Sequence, residues 1–211
     1  MIYDVCDLVR DVRIALDQNM TSDQLIRVKD LDTLSLEDII RSKVEDGVRR
    51  VESMADVHLL DSGHNFGEHI FWGDRSCGWI LLPDDFMRLI AFRMSDWERT
   101  VHDVVLEGDE IYVRQSSRFS GIRGCYQNPI CALVMRPEGK ALEFYSCKSN
   151  EASVVRAIYL PYPHIDNCDG IEICERCYIS VVYMIGSLTA AACGNADMAN
   201  LMTELSKSAL I

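Results

Sequence analysis

The chain has 211 residues and a mass of 23.9 kDa, long enough to bury roughly 70% of its extended surface without a metal or disulfide staple. A composition of 48% hydrophobic and 26% charged residues excludes a disordered chain. Asp and Glu number 33 against 21 Lys and Arg, and the resulting charge of −12 repels nucleic-acid backbones and anionic membranes, which argues against sequence-specific DNA or RNA binding.

The first residues, Met1-Ile2-Tyr3-Asp4-Val5-Cys6-Asp7, contain no basic n-region and no apolar h-region, so no secretory signal is read there. Without export, the nine cysteines are expected as free thiols, most of them acting as small buried apolar residues. Val5, Leu8, Val9, Val12 and Leu16 recur at steps of three and four, which predicts an opening amphipathic helix. A second helix is predicted from Ser35, a capping residue with Asp38 three positions on as an approximate capping box. Its apolar stripe is Leu36, Ile39, Ile40, Val44, Val48 and Val51, and its other faces carry charges of both signs, suited to solvent or to sister subunits.

From about residue 62 to 165 the helical period fades and Gly, Pro and β-formers take over. Strands are predicted over 70–72, 79–82, 89–94, 103–106, 110–114, 130–135, 141–145 and 154–159, with turns at Glu107-Gly108-Asp109 and Arg136-Pro137-Glu138-Gly139. Short strands joined by tight turns predict an antiparallel sheet or small barrel, not a parallel βαβ sheet. After Pro161-Tyr162-Pro163 the helical period returns, with one long helix predicted over 171–193 and stopped by Gly194-Asn195. A further helix starts at Asp197, with Met198, Leu201, Met202 and Leu205 at helical spacing, making an αα-hairpin. Residues 177–196 carry no charge, but Ser180, Gly186, Ser187, Thr189, Gly194 and Asn195 dilute their hydrophobicity and no basic cluster flanks them. The segment therefore reads as a protein-buried helix, not a membrane span. The expected class is α+β: residues 1–61 and the hairpin of 166–211 form one helical body, and residues 62–165 are a β-rich insertion.

The common catalytic signatures, GxGxxG, GxxxxGK[ST], GxSxG and HExxH, are absent, and no enzyme activity and no cofactor are expected. His64 and His69 are five apart in a glycine-containing loop, off the spacing that puts two ligands on one helix face. His164, Cys168, Cys174 and Cys177 place four soft ligands in one short stretch, with Cys174 and Cys177 as a CxxC. The CxxC falls inside the predicted helix, away from the turn a zinc knuckle uses, so buried thiols are the preferred reading over zinc or redox chemistry. Adjacent Asp84 and Asp85 point in different directions and, after Pro83, read as the start of a helical turn whose amides they accept. Asp166 and Asp169 also invite an acid–base reading. Residues 114–124 hold Arg114, Arg118 and Arg123 without an acid, and such a loop is expected to grip an acidic neighbour.

The segment Trp79-Ile80-Leu81-Leu82-Pro83-Asp84-Asp85-Phe86-Met87-Arg88-Leu89-Ile90 resembles a motif of the tailed-phage head-to-tail connector proteins, the adaptor or tail-tube ring proteins that dock under the portal. The order of elements is similar as well: N-terminal helices, a β-rich centre holding the LPxDFxRL-like turn, and a C-terminal hairpin of small and apolar residues. The eight or so motif residues are the specific part; the likeness of architecture extends over most of the chain. The resemblance implies a virion structural protein that forms a ring, commonly of twelve subunits, between the portal protein and the next tail ring. Asp84 and Asp85, with Arg114, Arg118 and Arg123, are then interface residues, and double-stranded DNA passes through without specific binding. An acidic wall suits such a channel, since carboxylates repel phosphates. The stretch from His164 to Cys177 has no counterpart in the family pattern. The alternative is an intracellular zinc-binding or regulatory domain using His164, Cys168, Cys174 and Cys177, and a third reading places a hydrolase site around His64, His69 and Asp85.

Overall fold

The computed structural model of the protein describes residues 1–19, 35–117, 119, 122–145 and 147–210. It contains both helices and β-sheets, an α+β chain, and divides into two compact units. One comprises Met1–Ser62 with Tyr162–Ile211, the other Gly63–Pro161.

In the first unit, strand β1 (Ile2–Asp4) pairs antiparallel with β10 (Gly170–Glu172) and leads directly into helix α1 (Val5–Asn19). Val5, Leu8, Val12 and Leu16 of the predicted stripe are buried, while Val9 is partly exposed. Helix α2 (Leu36–Met54) begins at Ser35, whose hydroxyl accepts the Asp38 amide while the Asp38 carboxylate accepts the Ser35 amide. The shorter Asp completes the capping box because the chain turns tightly enough for its carboxylate to reach back. Ile40, Val44, Val48 and Val51 form its buried face.

The C-terminal helices are α4 (Tyr178–Ala192) and α5 (Ala196–Ser208). Helix α4 packs on α1, α2 and α5, which explains its lack of charge: Val181 and Ile185 are fully buried within its three neighbours. Close approach is set by small residues, since a Cβ on Gly47 of α2 would lie 2.4 Å from Ile185 Cγ1. Gly194 takes φ +78° after α4, and the Asn195 side chain caps α5 by accepting the Met198 amide. Of the stripe expected on α5, Met198 and Met202 are buried and Leu205 is half-buried, but Leu201 is 46% exposed; Ala199 and Ser206 complete the inner face.

The helix predicted over 171–193 is corrected at its start. Residues 170–172 belong to β10, Glu175–Cys177 form a 3₁₀ turn, and α-helix begins only at Tyr178. The reason is non-local: the N-terminal strand supplies the partner that draws Ile171 into a ladder.

The second unit holds a three-stranded sheet in the order β2-β9-β5 and a five-stranded sheet in the order β3-β4-β8-β7-β6. The first contains β2 (His64–Asn65), β5 (Phe86–Met94) and β9 (Val154–Pro161). The second contains β3 (Phe71–Trp72), β4 (Gly78–Leu81), β6 (Val105–Leu106), β7 (Ile130–Arg136) and β8 (Gly139–Tyr145). Phe92, Phe144 and Trp97 meet in the core at 5.6–6.2 Å between rings. Arg136 and Gly139 close the β7–β8 hairpin as the turn residues predict.

Three further readings are corrected by the β-rich unit. Residues 110–114 are not a strand but helix α3 (Glu110–Arg114), and Glu107-Gly108-Asp109 joins β6 to it instead of making a hairpin. The Ile-Tyr-Val run is β-prone, but the Asp109 carboxylate accepts the Leu106 amide and turns the chain before a ladder can form. The strand expected over 103–106 is confined to β6, which pairs with β7 in parallel, against the antiparallel expectation.

Candidate functional site

Leu82-Pro83-Asp84-Asp85-Phe86 connects β4 to β5. The Phe86 amide donates to the Pro83 carbonyl at 3.1 Å, closing a tight turn between strands; this corrects the helical turn expected at Asp84 and Asp85. Pro83 fixes φ, Leu82 and Phe86 point into the core, and both aspartates are exposed at the tip. They do not act as a pair. Asp85 Oδ1 accepts a hydrogen bond at 2.9 Å from the Tyr159 hydroxyl, whose pKa is pushed up to about 12 by burial and then by that carboxylate.

Beside this turn, a groove of about 420 Å³ lies between residues 65–71 and the end of β4. Phe66, Phe71, Ile80, Leu82 and Pro83 line it, and Glu68 and His69 stand at its margin. Phe71 is 44% exposed although it stacks at 5.5 Å on Trp79, its direct cross-strand partner. On the same face of the sheet the Arg136 guanidinium lies over the Trp79 ring, 3.9 Å from its centre, and pairs with Glu143.

At the opposite edge of that sheet, Tyr112 of α3 packs against the β6–β7 face. A five-residue helix anchored by one inward tyrosine leaves its other apolar side chains outside: Ile111 is 47% and Val113 62% exposed. The buried Gln115 amide ties down the stretch from α3 to Gly124, donating to the Ile111 carbonyl and accepting the Gly124 amide at 2.8 Å. Phe119 and Ile122, at 72% and 52% exposed, stand out from this segment. Arg114 is exposed and pairs with Glu110 one turn back, at 2.6 Å. Arg123 is half-buried, and Arg118 lies outside the described residues.

The four soft ligands do not share an environment. His164 is exposed and contacts Glu45 of α2 at 3.2 Å, while Cys168 is exposed on the turn that Asp166 organises by accepting the Cys168 and Gly170 amides. Asp169 pairs with Arg41, so Asp166 and Asp169 serve backbone and helix contacts rather than each other. Cys174 and Cys177 lie at the ends of the 3₁₀ turn, not inside a helix as expected, and both are buried. Burial and then the Glu52 carboxylate push the Cys174 thiol far up and that of Cys177 up to about 11, the reverse of what a thiolate ligand or nucleophile needs. His64 meets the edge of Tyr159, and His69 is exposed. Among the described residues no three His, Cys, Asp or Glu side chains are grouped to hold a metal ion, no disulfide joins any cysteine, and no helix is long and apolar enough to cross a membrane.

Sequence reasoning missed the groove, the Phe71–Trp79 stack and the exposed apolar side chains of α3. An acidic residue followed by Glu110, the usual dressing of a helix N-terminus, was the available signal for α3. No family model and no curated protein matches the chain.

Proposed function

We propose that this protein is a non-enzymatic virion component: a ring-forming subunit of the head-to-tail connector that extends the portal channel of a tailed phage. In this reading the helical unit of α1, α2, α4 and α5 and the β-rich unit correspond to the helical body and insertion of the connector proteins. Copies assemble into a ring, commonly twelve-fold, in the host cytoplasm. The ring sits between the portal protein and the next tail ring, and DNA passes a wall whose −12 charge per subunit keeps phosphates from adhering. The Leu-Pro-Asp-Asp-Phe turn between two strands supports the resemblance on which the reading began.

The observation that carries it is the run of apolar side chains left outside the β-rich unit within residues 106–122: Leu106, Ile111, Val113, Phe119 and Ile122, between 47% and 72% exposed. Single exposed apolar residues are ordinary, but five in one segment of a strongly acidic chain fit a surface that another subunit covers. Native mass spectrometry and negative-stain microscopy of the purified protein, alone and with the portal protein of the same genome, test the reading. Closed rings are expected. A protein that stays monomeric in both mixtures and is missing from purified virions would not be a connector subunit.

A further inference from the structure

The net charge of −12 is not spread evenly along the chain. Gly63–Pro161 contains 13 acidic and 11 basic residues, against 20 and 10 in the remainder. Within that nearly balanced unit, Arg93 of β5 and Arg156 of β9 are direct cross-strand partners in the antiparallel ladder. Such partners share one face of the sheet with Cβ atoms about 4.5–5.5 Å apart, and like charges placed so destabilise the pairing. Arginines such as Arg13, Arg41 and Arg114 hold the carboxylates of Glu37, Asp169 and Glu110. Arg93 and Arg156 make no ion pair and no hydrogen bond among the described residues. The acids nearest in sequence, Asp96, Glu98, Asp103 and Glu151, join neither, and Asp96 accepts the Lys148 amide instead. Arg93 is half-buried and Arg156 exposed, so solvent reaches the pair. On the other side of β5, Val101 bridges Phe92, and alternation along both runs puts exposed His102 on the face that carries Arg93. Its Nδ1 donates to the Ile90 carbonyl at 2.7 Å, so protonation of Nε2 makes it a third cation there.

We propose that Arg93 and Arg156 form a binding site for a small dianionic oxyanion of the phosphate or sulfate class, held between their guanidiniums. It lies on the face of the β5–β9 ladder turned away from Phe92 and Ala157, which are in the core. Each guanidinium presents its N–H donors as a planar fork that matches a pair of oxygens. A tetrahedral dianion offers oxygens to both forks and cancels both charges, whereas a single carboxylate balances only one. The rest of the chain sets the size of the ligand. Its −12 charge opposes a polyanion such as DNA at every further phosphate, while a lone dianion meets mainly the local pair. A bulge adjoins the site: Met94 pairs with Val154, so Val155 is an extra, exposed residue beside Arg156. Bulges of this kind re-aim the neighbouring side chains of a strand. Binding turns a repulsion across the ladder into two attractions, and it thereby stabilises the folded state.

The test is thermal unfolding of the full chain at pH 7 and constant ionic strength, with inorganic phosphate replacing chloride in steps. The wild type is expected to gain melting temperature along a saturating curve, which screening at fixed ionic strength does not produce. Isothermal titration with phosphate gives the same affinity without unfolding the protein. Arg156→Gln removes one fork and weakens that affinity about tenfold or more, as for loss of one hydrogen bond to a charged group. Arg93→Gln is the second variant of the site, and Arg156→Lys, which keeps the charge without the fork, binds between wild type and Arg156→Gln. Lys140 of β8 is exposed and has no ion pair among the described residues, so Lys140→Gln makes the same change in net charge and keeps the wild-type response. A wild type that responds to phosphate no more than to chloride overturns the site. So does a response that survives both glutamine variants, or one lost equally in Lys140→Gln. A DNA duplex bound more tightly than phosphate, and released by Arg156→Gln, would overturn the assignment to a small anion.

Discussion

Replacing Ser180 by alanine tests how the C-terminal hairpin is locked. Ser180 of α4 and Ser206 of α5 are both buried, and each hydroxyl donates to the other's carbonyl at 2.9 Å. The two bonds are not equivalent. The Ser206 carbonyl lies in the last turn of α5, where the Ala209 and Leu210 amides go to Leu205 and Lys207, so among the described residues the Ser180 hydroxyl satisfies a group the helix leaves open. The Ser180 carbonyl lies inside α4, where the ladder supplies an amide four residues on. Ser180→Ala therefore strands a buried acceptor, costing about 1–3 kcal/mol, from which alanine's better helix propensity returns about 0.5 kcal/mol. Ser206→Ala loses only an ordinary hydrogen bond of about 1 kcal/mol, less the same return. All three tryptophans, Trp72, Trp79 and Trp97, lie in the β-rich unit, so ellipticity at 222 nm is the readout for the helices. With a urea slope of about 2 kcal/mol/M, Ser180→Ala lowers the midpoint by about 0.3–1.3 M and Ser206→Ala by about 0.25 M. A Ser206→Ala shift equal to or larger than the Ser180→Ala shift would refute the stranded-carbonyl argument.

Gly47→Ala places a Cβ 2.4 Å from Ile185 Cγ1, so it destabilises the α2–α4 contact by about 1 kcal/mol or more where an open helix site would gain; a raised melting temperature would contradict the close packing. Glu52 is 3% exposed, and burial raises its pKa above 4.5 despite the Cys174 amide at 2.9 Å. The folded state thus binds a proton more tightly than the unfolded one, and its stability rises as pH falls through that raised value towards 4.5. Glu52→Gln removes this component, which paired urea titrations between pH 7 and 5 read directly, and an unchanged slope would count against it. A thiol reagent at neutral pH labels exposed Cys6 and Cys168 first, while Cys131, Cys147, Cys174 and Cys177 react only on unfolding, as mass mapping of labelled peptides checks. Chelation leaves the melting temperature unchanged and elemental analysis finds no zinc; about one zinc per chain, lost with unfolding in Cys174→Ser, would restore the reading that uses His164, Cys168, Cys174 and Cys177.

The elements legible in the sequence are those whose cause is local. The Ser35–Asp38 box, the stripes of α1 and α2, the Gly194-Asn195 stop and the β7–β8 turn are set by neighbours a few residues apart, and each stands where residue spacing puts it. The failures have distant causes. Ile171 reads as helix until Tyr3 pairs with it across 168 positions, and the parallel match of Val105 with Ala132 follows no hairpin rule. Residues 110–114 read as strand because Ile, Tyr and Val favour one, but the Asp109 carboxylate takes the Leu106 amide and turns the chain, and a single inward tyrosine settles them as a helix.

The candidate surfaces divide in the same way. Net charge, the arginine-rich and acid-rich segments and the Leu-Pro-Asp-Asp-Phe turn are properties of composition and short spacing, so the sequence alone determines them. Sheet order alone decides that the groove and α3 occupy opposite edges. Folding likewise decides that Glu52 is buried while Phe71 and Val113 stay outside. Burial is a property of everything that packs around a side chain, and most of those neighbours are remote in the chain.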